Sequence, residues 1–454
     1  MSAPLAICGA TALQRRDRWR ATPDLDVVME SGRIVACAPR ARDAYPQAQR
    51  IDGRALLLTP GIVNAHCHSA EVLSRGRASQ SALQAWLDAA MPPIDALCAE
   101  DLALAINLCA VDMLRSGVTA VIDHFRQMPT SLKATEVAAT AWSDTSLRCM
   151  VAMMVRDGVS ADGRVIDAGH AGAPPTTAEI INLCRTWIEG GTAQSKVVRA
   201  LGPSAPVRCT EALLKSLGEL SRETGAPIHM HVDETSDQAQ AAQKRFGASA
   251  ISALERLGVL GPATSLVHCV HLLQSDHGIL ARSGALAVHC PVANLRLGSG
   301  VSPAAAMHHN GVAMALATDG AASNDAQCMT EVIKTALLLS RLNGEPAAWL
   351  SPDDVLDMAF KPGTRAFLKD MDPLNGAISV GAPADIAAFD LTDPLLVPAN
   401  DLAAQMTFSG GALRARHVWV GGEQLLRDGE PTKIDRFALA AQASRRLSEQ
   451  RTAP

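Results

Sequence analysis

The stretch Leu58-Thr59-Pro60-Gly61-Ile62-Val63-Asn64-Ala65-His66-Cys67-His68 decides the fold, because an apolar run ends here in two histidines two residues apart. Side chains alternate between the two faces of an extended strand, so His66 and His68 project from the same side while Cys67 points away. Two imidazoles on one face can bind one metal ion. The alternative is a pair of strand histidines in an ordinary core, and further motifs are needed to choose between the two.

Short apolar runs alternate with longer segments of helical spacing along the middle of the chain. Eight of these runs are candidate strands: Gly61 to Ala65, Gly117 to Asp123, Leu147 to Val155, Val197 to Leu201, Pro227 to His231, Ser265 to His268, Ala285 to His289 and Val312 to Ala317. Strand and helix units in this order predict an α/β fold with a (β/α)8 TIM-type barrel. The chemistry of such a barrel lies at the C-terminal ends of its strands.

The two ends of the chain have a different pattern, with short alternating runs separated by glycine turns. We expect residues 1–57 and 371–432 to pair as a small β-sandwich domain, with the barrel spanning 58–370. Residues 433–454 are predicted to form a C-terminal helix and tail, and Phe437 to Glu449 has amphipathic spacing.

Composition excludes several classes of protein. The chain has 454 residues, a net charge of -5 and no basic cluster, so nucleic acid is not an expected partner. No apolar stretch is long enough to span a membrane uninterrupted by charge. The 11 cysteines are scattered without a CxxC pair, which is typical of reduced thiols. We therefore predict a cytoplasmic protein that acts on a small molecule.

Ionisable residues recur where the last four candidate strands end. They include His229 and His231, His268, His289 and Asp319. Burying so many titratable groups costs desolvation unless a metal or a substrate offsets it. Three neutral imidazoles and one carboxylate leave a position for a water molecule, whose pKa a metal lowers to about 7.

These motifs resemble the amidohydrolase superfamily, in the branch that holds cytosine, guanine and S-adenosylhomocysteine deaminases and the triazine hydrolases. The matching segments are Pro60 to His68, His229 to Glu234, Val267 to Leu272, His289 to Gly300, Thr318 to Asn324 and Gly381 to Asp385. The resemblance implies metal ligation by His66, His68, His231 and Asp319. It also implies that Glu234 and His268 act on the substrate, and that the protein is a homo-oligomer such as a dimer.

The fourth candidate strand bears on the number of metal ions. Binuclear members of the superfamily carry a carbamylated lysine at the end of this strand, whereas Val197 to Gly202 contains none and Lys196 stands at its beginning. We therefore expect one divalent metal. Imidazole and carboxylate ligands suit Zn(II), our first expectation, as well as Fe(II).

The expected reaction is the hydrolytic deamination of an aminated pyrimidine, purine, pterin or triazine by metal-bound hydroxide. Asp319 accepts a proton from the water, Glu234 donates a proton to a ring nitrogen, His268 orients the attacking oxygen, and ammonia leaves. Hydrolysis of another C-N or C-Cl bond, in an amide, urea, carbamate or chloro-triazine, is the alternative. A non-catalytic assembly protein is a further alternative, against which the four intact ligand positions argue.

Four residues are candidates for substrate contacts: Glu71, Trp86, Ser204 and Ser323. Adenosine-type members have a Gly-x-His-Ala-Pro pattern, where this chain has Ser204 in place of the histidine. Glu71 stands where relatives usually keep an uncharged residue, so it either meets a cationic or hydrogen-donating group of the substrate or is a rim carboxylate. Both departures weaken an adenosine or S-adenosylhomocysteine assignment. Asn294 to Gly300 is interpreted as a conformational loop rather than a catalytic one.

Overall fold

The structure, a computed structural model, describes residues 3–157, 175–191, 197–342, 344–361 and 376–452. These residues form one parallel sheet of eight strands and one mostly antiparallel sheet of nine strands. The predicted α/β class is confirmed, with a parallel barrel and a separate sheet built from the two ends of the chain. The domain limits given above remain a prediction.

The second sheet begins the chain and is completed near its end. Its N-terminal strands are β1 (Leu5–Arg15), β2 (Trp19–Glu30), β3 (Arg33–Ala38), β4 (Gln49–Asp52) and β5 (Leu56–Pro60). The barrel strands follow as β6 (Ile62–Cys67), β7 (Val118–Phe125), β8 (Arg148–Val155), β9 (Val197–Pro203), β10 (Ile228–Val232), β11 (Thr264–His268), β12 (Leu286–His289) and β13 (Ala313–Leu316). The C-terminal strands are β14 (Ile386–Asp390), β15 (Ala415–Val420), β16 (Glu423–Arg427) and β17 (Glu430–Pro431). Strand β14 pairs antiparallel with β5, which joins the two ends of the chain.

All eight predicted barrel strands are present, and each pairs with its neighbour in chain order. The first and last strands meet through the Asn64 side chain, whose amide nitrogen donates to Thr318 Oγ1 at 2.7 Å. The Asp319 backbone N–H also donates to the His66 carbonyl at 3.1 Å. This closure puts the ends of β6 and β13 side by side.

The turn between β5 and β6 explains why a glycine follows Pro60. A Cβ atom on Gly61 would lie 2.0 Å from Thr119 Oγ1 on the neighbouring strand β7. Only glycine permits this close approach, so the Pro60-Gly61 pair sets where the barrel begins.

The helices of the described chain are α1 (Leu83–Asp95), α2 (Ala99–Leu114), α3 (Leu132–Thr145), α4 (Thr177–Glu189), α5 (Glu211–Thr224), α6 (Ser236–Phe246), α7 (Ala250–Arg256), α8 (Gln274–Ser283), α9 (Pro291–Arg296), α10 (Ala304–His309), α11 (Met329–Leu339), α12 (Pro352–Phe360), α13 (Leu402–Ser409) and α14 (Arg436–Thr452). Helix α5 shows how the sequence sets its limits. Thr210 accepts a hydrogen bond from the Leu213 N–H at the start, and Gly225 ends the helix with φ 70°. Helix α14 lies within residues 433–454, the segment expected to form a C-terminal helix and tail. Among the described helices, none combines the length and the apolar character that crossing a bilayer requires.

Candidate active site

The four predicted metal ligands converge at the C-terminal end of the barrel. His66 lies on β6, His68 directly after it, His231 on β10 and Asp319 after β13. His66 Nε2 is 3.3 Å and His68 Nε2 is 3.6 Å from Asp319 Oδ1. His68 Nε2 and His231 Nε2 are 3.1 Å apart. The structure therefore brings together all four residues that the sequence singled out.

Hydrogen bonds determine which ring nitrogens face the centre of this cluster. His68 Nδ1 is 2.7 Å from the His124 carbonyl, and His231 Nδ1 is 2.7 Å from the Ser204 carbonyl. A carbonyl only accepts, so each Nδ1 carries the proton and each Nε2 presents a lone pair. Two lone pairs at 3.1 Å repel unless a cation lies between them. The donor set therefore fits a divalent cation.

His66 obtains the same orientation through a buried relay. The Ser265 hydroxyl donates to the Ile228 carbonyl at 3.3 Å and accepts from His229 Nδ1 at 2.6 Å. His229 Nε2 then accepts from His66 Nδ1 at 2.8 Å. The Nε2 of His66 is left as a lone pair without a hydrogen-bond partner. Histidine ligands are commonly oriented by such outer contacts, and His229 orients the candidate ligand His66 in this way.

Burial keeps His66 and His231 neutral, as metal ligation requires. Desolvation lowers the pKa of His66 to about 3. It also lowers the pKa of His231 well below its usual value, with the neighbouring His124 adding to the effect.

Glu234 and His268 face each other beside the ligand cluster. His268 Nε2 is 3.7 Å from Glu234 Oε2, and the Ser299 hydroxyl donates to Glu234 Oε1 at 3.2 Å. His268 Nδ1 donates to Asn294 Oδ1 at 2.9 Å, which leaves its Nε2 directed at the cavity. Burial raises the pKa of Glu234, and His268 opposes the rise only in part. This carboxyl is therefore suited to carrying a proton at a higher pH than an exposed glutamate.

Several residues at the strand ends have left-handed backbone conformations. Asp233, His268, Cys269 and Asp319 have φ values of 44°, 75°, 49° and 65°. Such conformations are costly in residues other than glycine and cluster at functional sites. Their position directly at the ends of β10, β11 and β13 agrees with a functional rim.

The cavity above the cluster contains every predicted substrate contact. Its lining includes Glu71, Trp86, Ser204 and Ser323 together with His68, His231, Glu234, His268 and Asp319. Trp86 on α1 is buried, and its Nε1 donates to the Ala322 carbonyl at 3.2 Å. The Ser323 hydroxyl donates to the Gly320 carbonyl at 2.9 Å, and the Ser204 carbonyl orients His231.

Sequence reasoning missed two arginines that line the cavity, Arg126 and Arg208. Arg126 pairs with Asp95 at 2.6 Å. Arg208 ends the short 3₁₀ helix Pro206–Arg208, and burial, with Arg156 nearby, lowers its pKa to about 10. Both arginines follow barrel strands, which is the only sequence feature that indicates a place near the site. Many surface arginines also follow strands, so this feature does not identify cavity residues.

The segment Asn294 to Gly300 was interpreted as conformational rather than catalytic. It does not supply ligands, yet its Asn294 and Ser299 bond the two catalytic candidates His268 and Glu234. His271 in turn fixes this segment, because its Nε2 lies 2.7 Å from the Ser299 carbonyl. The segment therefore positions the side chains of these two candidates.

His124, which sequence analysis did not include among the ligands, lies against the cluster. His66, His124 and His231 also have ligand atoms within 4.8 Å of one another, so they form a second candidate group. The Nε2 of His124 is 3.2 Å from the Gly202 carbonyl, and its buried Nδ1 has no partner in the described chain. Among the described residues, the first candidate group is His66, His68 and Asp319, and the second contains no carboxylate. His231 is linked to the first group through its Nε2, which is 3.1 Å from His68 Nε2.

Residues 57–425 match the family model described as "Amidohydrolase family". The chain belongs to the amidohydrolase family. Among similar proteins, a 5-methylthioadenosine/S-adenosylhomocysteine deaminase of Desulforudis audaxviator is 31% identical, over 92% of this chain and 93% of that protein. A 5'-deoxyadenosine deaminase of Methanosarcina mazei is 30% identical, over 93% of each chain. The crystal structure of an adenosine deaminase from Xanthomonas campestris with bound zinc superposes with a TM-score of 0.86 at 27% identity, covering 99% of both chains.

Membership confirms the predicted enzyme class. This amidohydrolase is a metal-dependent hydrolase of carbon–nitrogen bonds other than peptide bonds, and hydrolytic deamination agrees with the names of its relatives.

Proposed function

We propose that this amidohydrolase removes an amino group from a purine-type heterocycle by hydrolysis and releases ammonia. The observation that carries the proposal is the cluster in which His66 Nε2 and His68 Nε2 lie 3.3 Å and 3.6 Å from Asp319 Oδ1 and His231 Nε2 lies 3.1 Å from His68 Nε2. The cavity beside this cluster also contains Glu234 and His268. A purine is favoured over a pyrimidine, pterin or triazine because relatives over almost the whole chain are named as deaminases of adenosine derivatives.

His66, His68, His231 and Asp319 would hold one divalent cation, Zn(II) in the first place and Fe(II) as the alternative. When bound there, such a cation lowers the pKa of a water molecule to about 7 and so supplies a nucleophile at neutral pH. Strand β9 ends in Gly202 and Pro203 rather than in a lysine, which supports a single ion. Lys196, which also entered that prediction, lies outside the described residues.

The side chains around the cavity divide the proton transfers between them. Asp319 is placed to accept a proton from the attacking water, and Glu234 to donate one to the ring nitrogen beside the reacting carbon. That proton removes the negative charge that develops on the ring during attack. His268 hydrogen-bonds the attacking oxygen through Nε2, because Asn294 occupies its other nitrogen.

The substrate ring would lie under Trp86, whose indole is tied to the loop after Asp319. Leu83, Leu87 and Met91 extend the apolar wall, while Ser204 and Ser323 offer polar contacts. A planar aromatic ring matches an apolar wall with a few directed polar groups.

Ammonia release tests the proposal. Zinc-loaded enzyme is incubated with aminated purines, pyrimidines, pterins and triazines, and ammonia is measured beside chloride and alkylamine. We expect ammonia from at least one aminopurine, and a Glu234→Gln variant that retains its metal but loses this activity. Release of chloride or alkylamine without ammonia, or no turnover by fully loaded enzyme, would overturn the proposal.

The predicted homodimer and cytoplasmic location also remain proposals. Light scattering coupled to size exclusion measures the oligomeric state directly, and a monomer at micromolar concentration would contradict the first.

A further inference from the structure

The carboxyl group of Glu71 lies in the active-site wall, and no step of the proposed mechanism uses it. Glu71 belongs to the short 3₁₀ helix Ser69–Ser74, which begins directly after His68. Only 3% of the residue is exposed, and its Oε2 has no hydrogen-bond partner in the described chain. A buried acceptor without a donor is costly, so this oxygen requires an explanation.

The loop after Asp319 is shaped around this carboxyl. A Cβ atom on Gly320 would lie 1.7 Å from Glu71 Oε2, so any other residue there would displace the carboxyl. Burial and the nearby Asp319 carboxylate raise the pKa of Glu71 well above its usual value, and a hydrogen bond from the Ala322 N–H opposes this rise only in part. Trp86 holds the Ala322 carbonyl from the other side. The Glu71 carboxyl is therefore held in the wall of the cavity and is not a solvent-exposed carboxylate at its rim.

The charged groups around Glu71 do not satisfy it. Asp319 and Glu234 are both acidic, and Arg126 is committed to Asp95 at 2.6 Å. Among the described residues, no ion pair includes Glu71. The missing hydrogen-bond donor must come from what enters the cavity.

We propose that Glu71 selects substrates that carry an N–H donor in addition to the amino group that leaves. The class is a diamino heterocycle, or an aminated heterocycle with a further ring N–H. This inference rests on the proposed function, and it separates this chain from deaminases whose substrates have a single amino group. The isolated position of Oε2 favours one directed hydrogen bond over a general attraction for cations.

The test uses pairs of substrates that differ by one amino group. These are adenosine with 2,6-diaminopurine riboside, and 4-aminopyrimidine with 2,4-diaminopyrimidine. We expect the wild-type enzyme to prefer the diamino member of at least one pair by about tenfold or more in kcat/KM, as one hydrogen bond to a buried carboxyl oxygen provides. Glu71→Met should remove the preference, Glu71→Gln should retain part of it through its amide oxygen, and Glu219→Gln on the exposed face of α5 should leave it unchanged.

A binding measurement separates this inference from the proposed reaction. Purine riboside and 2-aminopurine riboside both lack the amino group that would leave, so their affinities are measured by calorimetry without ammonia release. The wild type should bind the 2-amino compound about tenfold more tightly, and Glu71→Met should bind both equally. Equal affinities in the wild type, a preference that survives Glu71→Met, or an equal loss of kcat for both members of each pair would overturn the inference. Because Glu71→Gln preserves the shape of the side chain, it keeps the test decisive if the methionine variant misfolds.

Discussion

The metal side of the cavity and its outer wall are built differently. The metal side is His66, His68, His231 and Asp319, and the outer wall is Glu71, Trp86, Ser204, Arg208 and Ser323. On the metal side, each imidazole has its Nδ1 bonded to a backbone carbonyl or to a buried side chain. On the outer wall, side chains come from helix α1 and from loops after the strands. Glu71 Oε2 has no hydrogen-bond partner among the described residues. The chemistry is therefore fixed by the barrel, while the choice of substrate is left to segments that can vary.

The largest expected effect comes from breaking the metal side. Asp319→Asn keeps the shape of the side chain but removes the only carboxylate of the ligand cluster. We expect kcat to fall by more than about 10³-fold, because both the ligand and the proton acceptor are lost. Metal content by mass spectrometry should fall as well; full zinc occupancy with normal turnover would contradict the assignment.

A variant beside the metal side should separate chemistry from metal binding. Glu234→Gln should lower kcat by about 10²- to 10⁴-fold while the zinc content stays unchanged. Ammonia release measures the loss of kcat, and metal analysis of the same sample measures whether the zinc content is unchanged. A loss of zinc in parallel with activity would place Glu234 among the ligands instead.

The relay behind His66 gives an intermediate effect. Ser265→Ala removes the hydroxyl that orients His229, and zinc affinity should weaken by about tenfold to a hundredfold. Competition with a chelator of known affinity measures this change. At saturating zinc, kcat should return close to the wild-type value, whereas a kcat that stays low would mean that the relay acts on the reaction itself.

A substitution in the outer wall should weaken substrate binding and leave the metal ligands intact. Trp86→Leu leaves all four ligands in place and removes the aromatic surface above the ring. We expect KM to rise by about tenfold with unchanged zinc content. A lower metal content in this variant would show that the two regions are coupled rather than separate.

The smallest expected effect lies outside both regions. His308 Nε2 is 3.1 Å from Asp354 Oδ1, a hydrogen bond that raises the pKa of His308 and helps to lower that of Asp354. A raised histidine pKa stabilises the fold below its unfolded value near pH 6.5, and the contribution disappears as pH rises through the folded pKa. Asp354→Asn should therefore lower the melting temperature more at pH 6 than at pH 9. The expected loss in the free energy of unfolding is less than about 1 kcal/mol, because the pair is partly exposed. Activity at 25 °C should not change.

The barrel and its metal side could be predicted because their signals are local. Alternation along a strand places His66 and His68 on one face, and the family motifs mark His231, Glu234 and Asp319. The tautomer of His66 could not be predicted, since it depends on Ser265 and His229 meeting it across the barrel. Arg208 was missed for the same reason, because nothing in the residues near it indicates that the loop folds inward.

The closure between Asn64 and Thr318 joins residues 254 positions apart, and it brings together ligands from the first and the last barrel strands. During synthesis, His66, His68 and His231 emerge before Asp319, so a growing chain lacks the last of the four proposed ligands until its final barrel strand is made. Cation uptake should thus coincide with the docking of the final strand. A bound ion would link the first and the last barrel strands. It would add about 4 kcal/mol to the stability of the folded protein when free metal exceeds the dissociation constant a thousandfold.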